Sequence, residues 1–187
     1  CRHFRQCVGD DDHPVWLLAE GALIEGEWDQ IGRMAEKEVC RGGVSGTALN
    51  PKLARVVEPR AAKPGKRYET VCRLSEAGVP VTVMAAPIIP ALNEPELEAL
   101  LEAAKDNGAS GAGYVLLRLP HELKDIFHEW LVEHYPDRAA RVINLLREMR
   151  GGKDYDADWF TRGAGQGALA KLIGQRFAGA IRRLDLQ

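Results

Sequence analysis

From about residue 60 onward, apolar positions fall alternately into helically spaced stripes and short continuous runs. In KPGKRYETVCRLSEAG, Tyr68, Val71, Cys72 and Ser75 share one helical face, Pro64 stands near the first turn, and Gly78 closes the segment. The run VPVTVMAAPII that follows reads as a strand. A second helix is predicted over 94–107, with Asn93 as N-cap, Glu96 three residues on as in a capping box, Leu97, Leu100, Leu101 and Ala104 as its buried stripe, and Gly108 at its end. GAGYVLLRLP then reads as a strand buried on both faces, because Val115, Leu116, Leu117 and Leu119 are nearly continuous. The two strand centres lie about 32 residues apart, the spacing of a βαβ unit with a parallel crossover. The expectation is an α/β fold with parallel strands near 81–87 and 113–118 joined by that helix.

Beyond Pro120 the pattern turns helical. Leu123, Ile126, Phe127, Trp130 and Leu131 form one stripe, Val142, Leu145, Leu146 and Met149 another, and HYPDR separates them. Gly151 and Gly152 end the second. A polar and aromatic loop, KDYDADWFTRGAGQG, precedes a last amphipathic helix marked by Leu169, Leu172, Ile173, Phe177, Ile181 and Leu184. The first fifty residues are less regular. HPVWLLA reads as a strand and 28–37 as a helix, but VCRGGVSGTAL places Gly42, Gly43 and Gly46 where the βα rhythm calls for a further strand, and interior glycines weaken strands. The chain divides into an irregular start (1–48), regular βα units (49–119) and a helical extension (120–187).

Composition narrows the setting. With 187 residues, 45% hydrophobic and 28% charged, the chain is ordinary globular protein, and no apolar run approaches the ~20 residues of a membrane span. A formal net charge of −2 supplies no overall drive toward nucleic acid, so any such contact is local. The start, CRHFRQCVGDDDH, is neither a signal peptide nor a transit sequence. Cysteines at 1, 7, 40 and 72 lack the spacing of a zinc site or the density of a disulfide scaffold, which points to a reducing, cytoplasmic setting.

The strand that ends in APIIPALNEPE bears most directly on function. In parallel α/β architectures ligands bind where strand-to-helix loops converge, at the carboxyl ends of strands. Pro87 and Pro90 cannot donate to a ladder, so neighbouring carbonyls are expected to be free, and Ala85 and Ala86 leave room for a flat group such as an adenine.

Over about 49–186, the spaced elements EPRA, PIIPALN and MRGGKDYD, in that order, resemble the C-terminal half of radical S-adenosylmethionine proteins of the spore-photoproduct-lyase-like group, often labelled DNA repair photolyase. The resemblance implies a partial (β/α) barrel of radical-SAM type with a helical C-terminal extension. It also implies a [4Fe–4S] cluster, S-adenosylmethionine as cosubstrate, and a 5′-deoxyadenosyl radical. Residues implied in cosubstrate binding are Ser45, Thr47, Glu58, Arg60, Ile88, Ile89, Pro90 and Arg118; no catalytic residue is assigned. The three-cysteine cluster motif is absent: Cys1 and Cys7 lack a third partner, and Asp10 stands three residues after Cys7. The expectation is therefore of a portion lacking its cluster-binding half, with GGVSGTALN departing from the family's strand at the glycines while Ser45 and Thr47 fit.

Plainer readings stand beside these. Glu58 and Arg60 either contact the cosubstrate or pair with each other on a loop, whereas a charge such as Arg118 within YVLLRLP is seldom buried without a partner. Phe127 and Trp130 read as core, Cys40 and Cys72 as buried thiols, His121, His128 and His134 as solvated or capping, and Arg60, Lys63, Lys66 and Arg67 as a solvated face. Tyr155, Trp159 and Phe160 read as an anchor for the tail. The functional alternatives are an acid–base enzyme on another (β/α) barrel, and a non-catalytic binding module.

Overall fold

The computed structural model describes residues 14–19, 28–152, 163 and 165–187. Cys1, Cys7, Asp10, Tyr155, Trp159 and Phe160, and the roles expected of them, lie outside the described residues. In chain order the elements are β1 (Val15–Ala19), α1 (Trp28–Glu36), β2 (Cys40–Ser45), α2 (Pro51–Val57), α3 (Pro64–Glu76), β3 (Val81–Ile88), a 3-10 turn (Glu94–Glu96), α4 (Leu97–Asp106), β4 (Gly111–Leu116), α5 (Leu123–His134), α6 (Pro136–Glu148) and α7 (Gly167–Leu184).

The four strands form one parallel sheet in the order β1-β2-β3-β4. β3 and β4 pair in parallel with Val83 opposite Ala112, as the crossover spacing predicts, and the chain between them forms α4. No helix among the described residues is long and apolar enough to cross a membrane.

Burial alternates along β3: Val81, Val83 and Ala85 are buried while Thr82, Met84 and Ala86 are half-covered. The buried set faces Val71 and Leu74 of α3 and Leu97, Leu100, Leu101 and Ala104 of α4, all in one apolar core. On the opposite face Trp16 and Leu18 of β1 stand exposed. Among the described residues, helices therefore cover one face of the sheet much more fully than the other.

Three expectations need correction. Despite its glycines, 40–45 is a regular strand between β1 and β3. A side chain at Gly42 would meet Leu74 Cδ1 at 3.2 Å on the helix-covered face, and Gly46, just past the strand, lies as close to Val83 and Leu100, so small residues suit the approach of helix and strand. β4 begins two residues earlier than predicted and is not doubly buried, because only its terminal residues Gly111 and Leu116 are buried and the residues between are half-covered. Its outer edge is covered by the chain itself: Ala112 N–H donates to Gln187 O at 2.9 Å, and Leu116 N–H to Gly163 O at 3.0 Å.

The third correction concerns Asn93, whose side chain caps no helix. Chain 94–96 is a 3-10 turn ahead of α4, and the amide of Asn93 points instead into the strand ends. Glu96 likewise reaches across to β2's exit, accepting from Leu49 N at 2.7 Å and Asn50 N at 3.3 Å. The last helix is tied to α4 by Arg176, which pairs with Glu94 and with Glu98, the latter at 2.6 Å, and by Arg183 with Glu102 at 2.6 Å. Tyr114 of β4 packs on Phe177 of α7 with ring centroids 4.7 Å apart.

Candidate functional site

The carboxyl ends of β2 and β3 are joined by a polar cluster built from four segments. Arg67, in the first turns of α3, is 5% exposed and sends its guanidinium over the end of β2. Its Nη2 donates to Glu58 Oε2 at 2.6 Å, its Nη1 to the carbonyl and hydroxyl of Ser45 at 2.9 and 3.0 Å, and its Nε to Ala62 O at 3.1 Å. Thr47 donates from Oγ1 to the same Glu58 oxygen at 2.6 Å and lies 3.2 Å from Ala86 O. A guanidinium that is buried is tolerable only with such saturation, since each uncompensated donor would cost free energy.

Asn93 ties the second half. Its Nδ2 donates to Thr47 O at 2.7 Å and Pro87 O at 2.8 Å, and its Oδ1 accepts from Ile89 N at 2.6 Å. The peptide bond before Pro87 is cis. Carbonyls expected to be free here are engaged: Pro87 O by Asn93, Ile88 O by Leu117 N at 2.8 Å, and Ile89 O by Leu92, Asn93 and Glu94 N–H groups. Proline did not leave the edge open, because the loop folds back on itself to use it.

Of the residues singled out by sequence, Ser45, Thr47 and Glu58 meet in one cluster, and Ile89 joins them through Asn93. Arg60 is exposed on the turn after Glu58, and of the two readings weighed for these residues the Glu58–Arg60 pair does not form, since Glu58 pairs with Arg67 instead. That exchange also removes Arg67 from the solvated basic face. Ile88 and Pro90 are buried in the β3 loop.

Arg118 is not part of this cluster. It follows β4 and lines an open apolar cleft of about 340 Å³, with Val57, Glu58, Pro87, Ile89 and Leu117 on one side and Leu123, Ile126, Phe127 and Trp130 of α5 on the other. The Nε of Arg118 is fully buried and has no hydrogen-bond partner among the described residues. Phe127 and Trp130, stacked with centroids 5.4 Å apart, are half-covered cleft wall rather than core, and Trp130 Nε1 donates to Val56 O at 3.3 Å, which fixes α5 against α2.

Arg67 and Asn93, the two residues that organise the site, escaped the sequence reading. Arg67 sits in a run of cations that looks uniformly solvated, and Asn93 satisfies a capping pattern that its side chain does not use. Neither described thiol joins the cluster. Burial pushes the Cys40 thiol up, at the amino end of β2. Cys72 is only partly covered on α3, where Val71 and Leu74 face the core in its place; desolvation and the neighbouring Glu76 and Glu69 carboxylates raise it. His134 packs edge-on against Trp130 at 5.4 Å.

No family model matches the chain. Uncharacterized proteins of Mycobacterium bovis and of two Mycobacterium tuberculosis strains are each 28% identical to it over 136 residues, 72% of this chain. The chain spans 40% of the length of these relatives.

Proposed function

We propose that the chain is the C-terminal portion of a radical S-adenosylmethionine enzyme, with the cosubstrate held over the carboxyl ends of β2 and β3. The observation that carries this reading is the convergence of Ser45, Thr47 and Glu58 there, clamped by Arg67 and Asn93. Support comes from the ordered EPRA, PIIPALN and MRGGKDYD elements and from the strand order. Parallel strands in sequential order with helices mainly on one face are what a segment of a (β/α) barrel requires.

The described residues fit the cosubstrate better than the cluster. Glu58 engages one carboxylate oxygen with Arg67 and Thr47, and its Oε1 has no protein hydrogen-bond partner among the described residues, so it can accept from an ammonium or a ribose hydroxyl. Ser45 and Thr47 add hydroxyls at the same end. For a [4Fe–4S] cluster, by contrast, no group of three or more His, Cys, Asp or Glu side chains is assembled among the described residues. When bound, these groups would supply hydrogen abstraction by a carbon radical. This chain's part is to orient the cosubstrate: Arg67 neutralises Glu58 and fixes its rotamer, and Asn93 fixes the β3 loop relative to Thr47.

The decisive experiment is anaerobic iron–sulfur reconstitution of the complete gene product with S-adenosylmethionine and a reductant, reading 5′-deoxyadenosine. Its formation is expected; a loaded, reducible protein that yields none overturns the proposal. Arg60→Ala tests the one implied contact that the fold leaves exposed. Loss of a charged hydrogen bond weakens S-adenosylmethionine affinity by about 10-fold or more, and unchanged affinity takes Arg60 out of the site.

A further inference from the structure

We infer that the open face and free edge of β1 form an interface for a further parallel strand, supplied by the part of the complete protein that precedes this chain. β1 pairs with β2 on one side and with no described strand on the other. The opposite edge of the sheet is closed by the chain itself, where the carbonyls of Gln187 and Gly163 accept from Ala112 and Leu116 of β4. β1 reads VWLLA, apolar on both faces. Val15 and Leu17 pack against the core, whereas Trp16 and Leu18 point the other way and are 64% and 69% exposed. Both lean over Gly43 of β2, where an added Cβ would stand 2.8 Å from Trp16 Nε1 and 3.2 Å from Leu18 Cδ1.

Edges that natural proteins leave exposed carry charges, prolines or bulges that deter pairing, and β1 has none of these. A strand that is apolar on both faces has the pattern of one buried on both, and wholly parallel sheets are found with both faces covered. The order of the sheet says what covers this one. Each strand from β1 to β4 pairs in parallel with the next in sequence, so the same step taken backwards puts the strand before β1 on its free edge. Successive strands begin at 15, 40, 81 and 111, at least 25 residues apart, which places that strand before Cys1. The mycobacterial relatives have chain to supply it, since the matched segment is 40% of their length. Naming this occupant rests on the reading of the chain as a C-terminal portion; the exposed face and the unpaired edge do not.

The test is hydroxyl-radical footprinting, read by mass spectrometry, of the 187-residue chain and of the complete gene product. Trp16 and Leu18 should be modified freely in the chain alone and become as inert as the buried Leu131 in the complete product. Leu18→Lys should leave the urea midpoint of the chain alone unchanged, because the side chain is exposed there, and lower that of the complete product, where the charge would be buried. p-Benzoylphenylalanine placed at position 18 of the complete product should crosslink, within one polypeptide, to a peptide that precedes Cys1. Footprinting of the native sequence decides the matter if the position-18 variants fail to fold. The inference is overturned by Trp16 and Leu18 that stay reactive in the complete product, by a crosslink to another copy or to any peptide from Cys1 onward, or by a chain that is already dimeric with both side chains protected. Protection and the expected crosslink without 5′-deoxyadenosine formation would instead strike the radical chemistry alone, and 5′-deoxyadenosine formed while both side chains stay reactive would strike the interface alone.

Discussion

Asn93 shows how much of the site depends on one side chain. Its amide satisfies a buried N–H and two carbonyls from two different strand exits. Asn93→Ala leaves Ile89 N–H without an acceptor, and the expected loss in a urea titration is about 2–4 kcal/mol. Asn93→Asp should not rescue it, because it keeps the acceptor for Ile89 but turns the donating nitrogen into an oxygen facing the Thr47 and Pro87 carbonyls. A loss below about 0.5 kcal/mol for Asn93→Ala would mean that the strand ends are held by something else. Tyr68 gives a pH-dependent check nearby. Burial raises its phenol well above the ordinary range, with Arg67 opposing and Glu96 reinforcing, and its hydroxyl donates to Leu100 O at 3.2 Å. The folded state thus holds the proton more tightly than the unfolded chain, whose tyrosine titrates near pH ~10. Its contribution is complete below that value and declines as pH rises above it. Thermal unfolding between pH 9 and 11 should show stability falling with pH, and Tyr68→Phe should flatten that slope.

At the scale of elements, what the sequence revealed tracks how local the cause was. The β3–α4–β4 unit was legible because a βαβ crossover writes itself as spacing and as apolar runs, and the leucine stripe of α4 fell where it was expected. β2 was obscured by its glycines, since strand propensity describes a side chain packing on a pleated surface and here the packing comes from neighbours. The two central glycines should differ sharply. Gly42 faces Leu74, Val79 and Val81 within 3.6 Å, so Gly42→Val overfills the core and should cost about 1–3 kcal/mol. Gly43 faces the exposed side chains of Trp16 and Leu18, which can swing aside, so Gly43→Ala should be neutral or stabilising by up to about 1 kcal/mol. Urea midpoints of the two variants check this, and equal effects would show that the assignment of faces is wrong. The polar cluster was only half legible. Ser45, Thr47 and Glu58 could be picked out through a resemblance, but Arg67 and Asn93 act across 22 and 46 residues, on Ser45 and Thr47, and no local pattern encodes such reach.

For the whole molecule, the distribution of cysteines against the direction of the sheet sets the last prediction. In a parallel sheet every strand presents its carboxyl end on the same side, and the polar cluster and the cleft both lie there. Cys40 starts β2, whereas Ser45 ends it, so about 16 Å of strand separates that thiol from the cluster. Its thiol is also buried and its proton held more firmly, the opposite of what a metal-ligating thiolate needs. Cys72 lies on α3, where its Sγ is 3.5 Å from Glu76 Oε1, and so it is held on the helix side of the sheet. Among the described residues the thiols are Cys40 and Cys72, one at the amino end of β2 and one on α3, and no group of three metal-ligating side chains is assembled there. The 187-residue chain, incubated anaerobically with iron and sulfide, is therefore expected to retain no stoichiometric cluster and to form no 5′-deoxyadenosine. Electron paramagnetic resonance after reduction is the direct measurement. A full-occupancy [4Fe–4S] signal that survives Cys40→Ser and Cys72→Ser would place the ligands elsewhere, and one abolished by either substitution would show that this cysteine is a ligand.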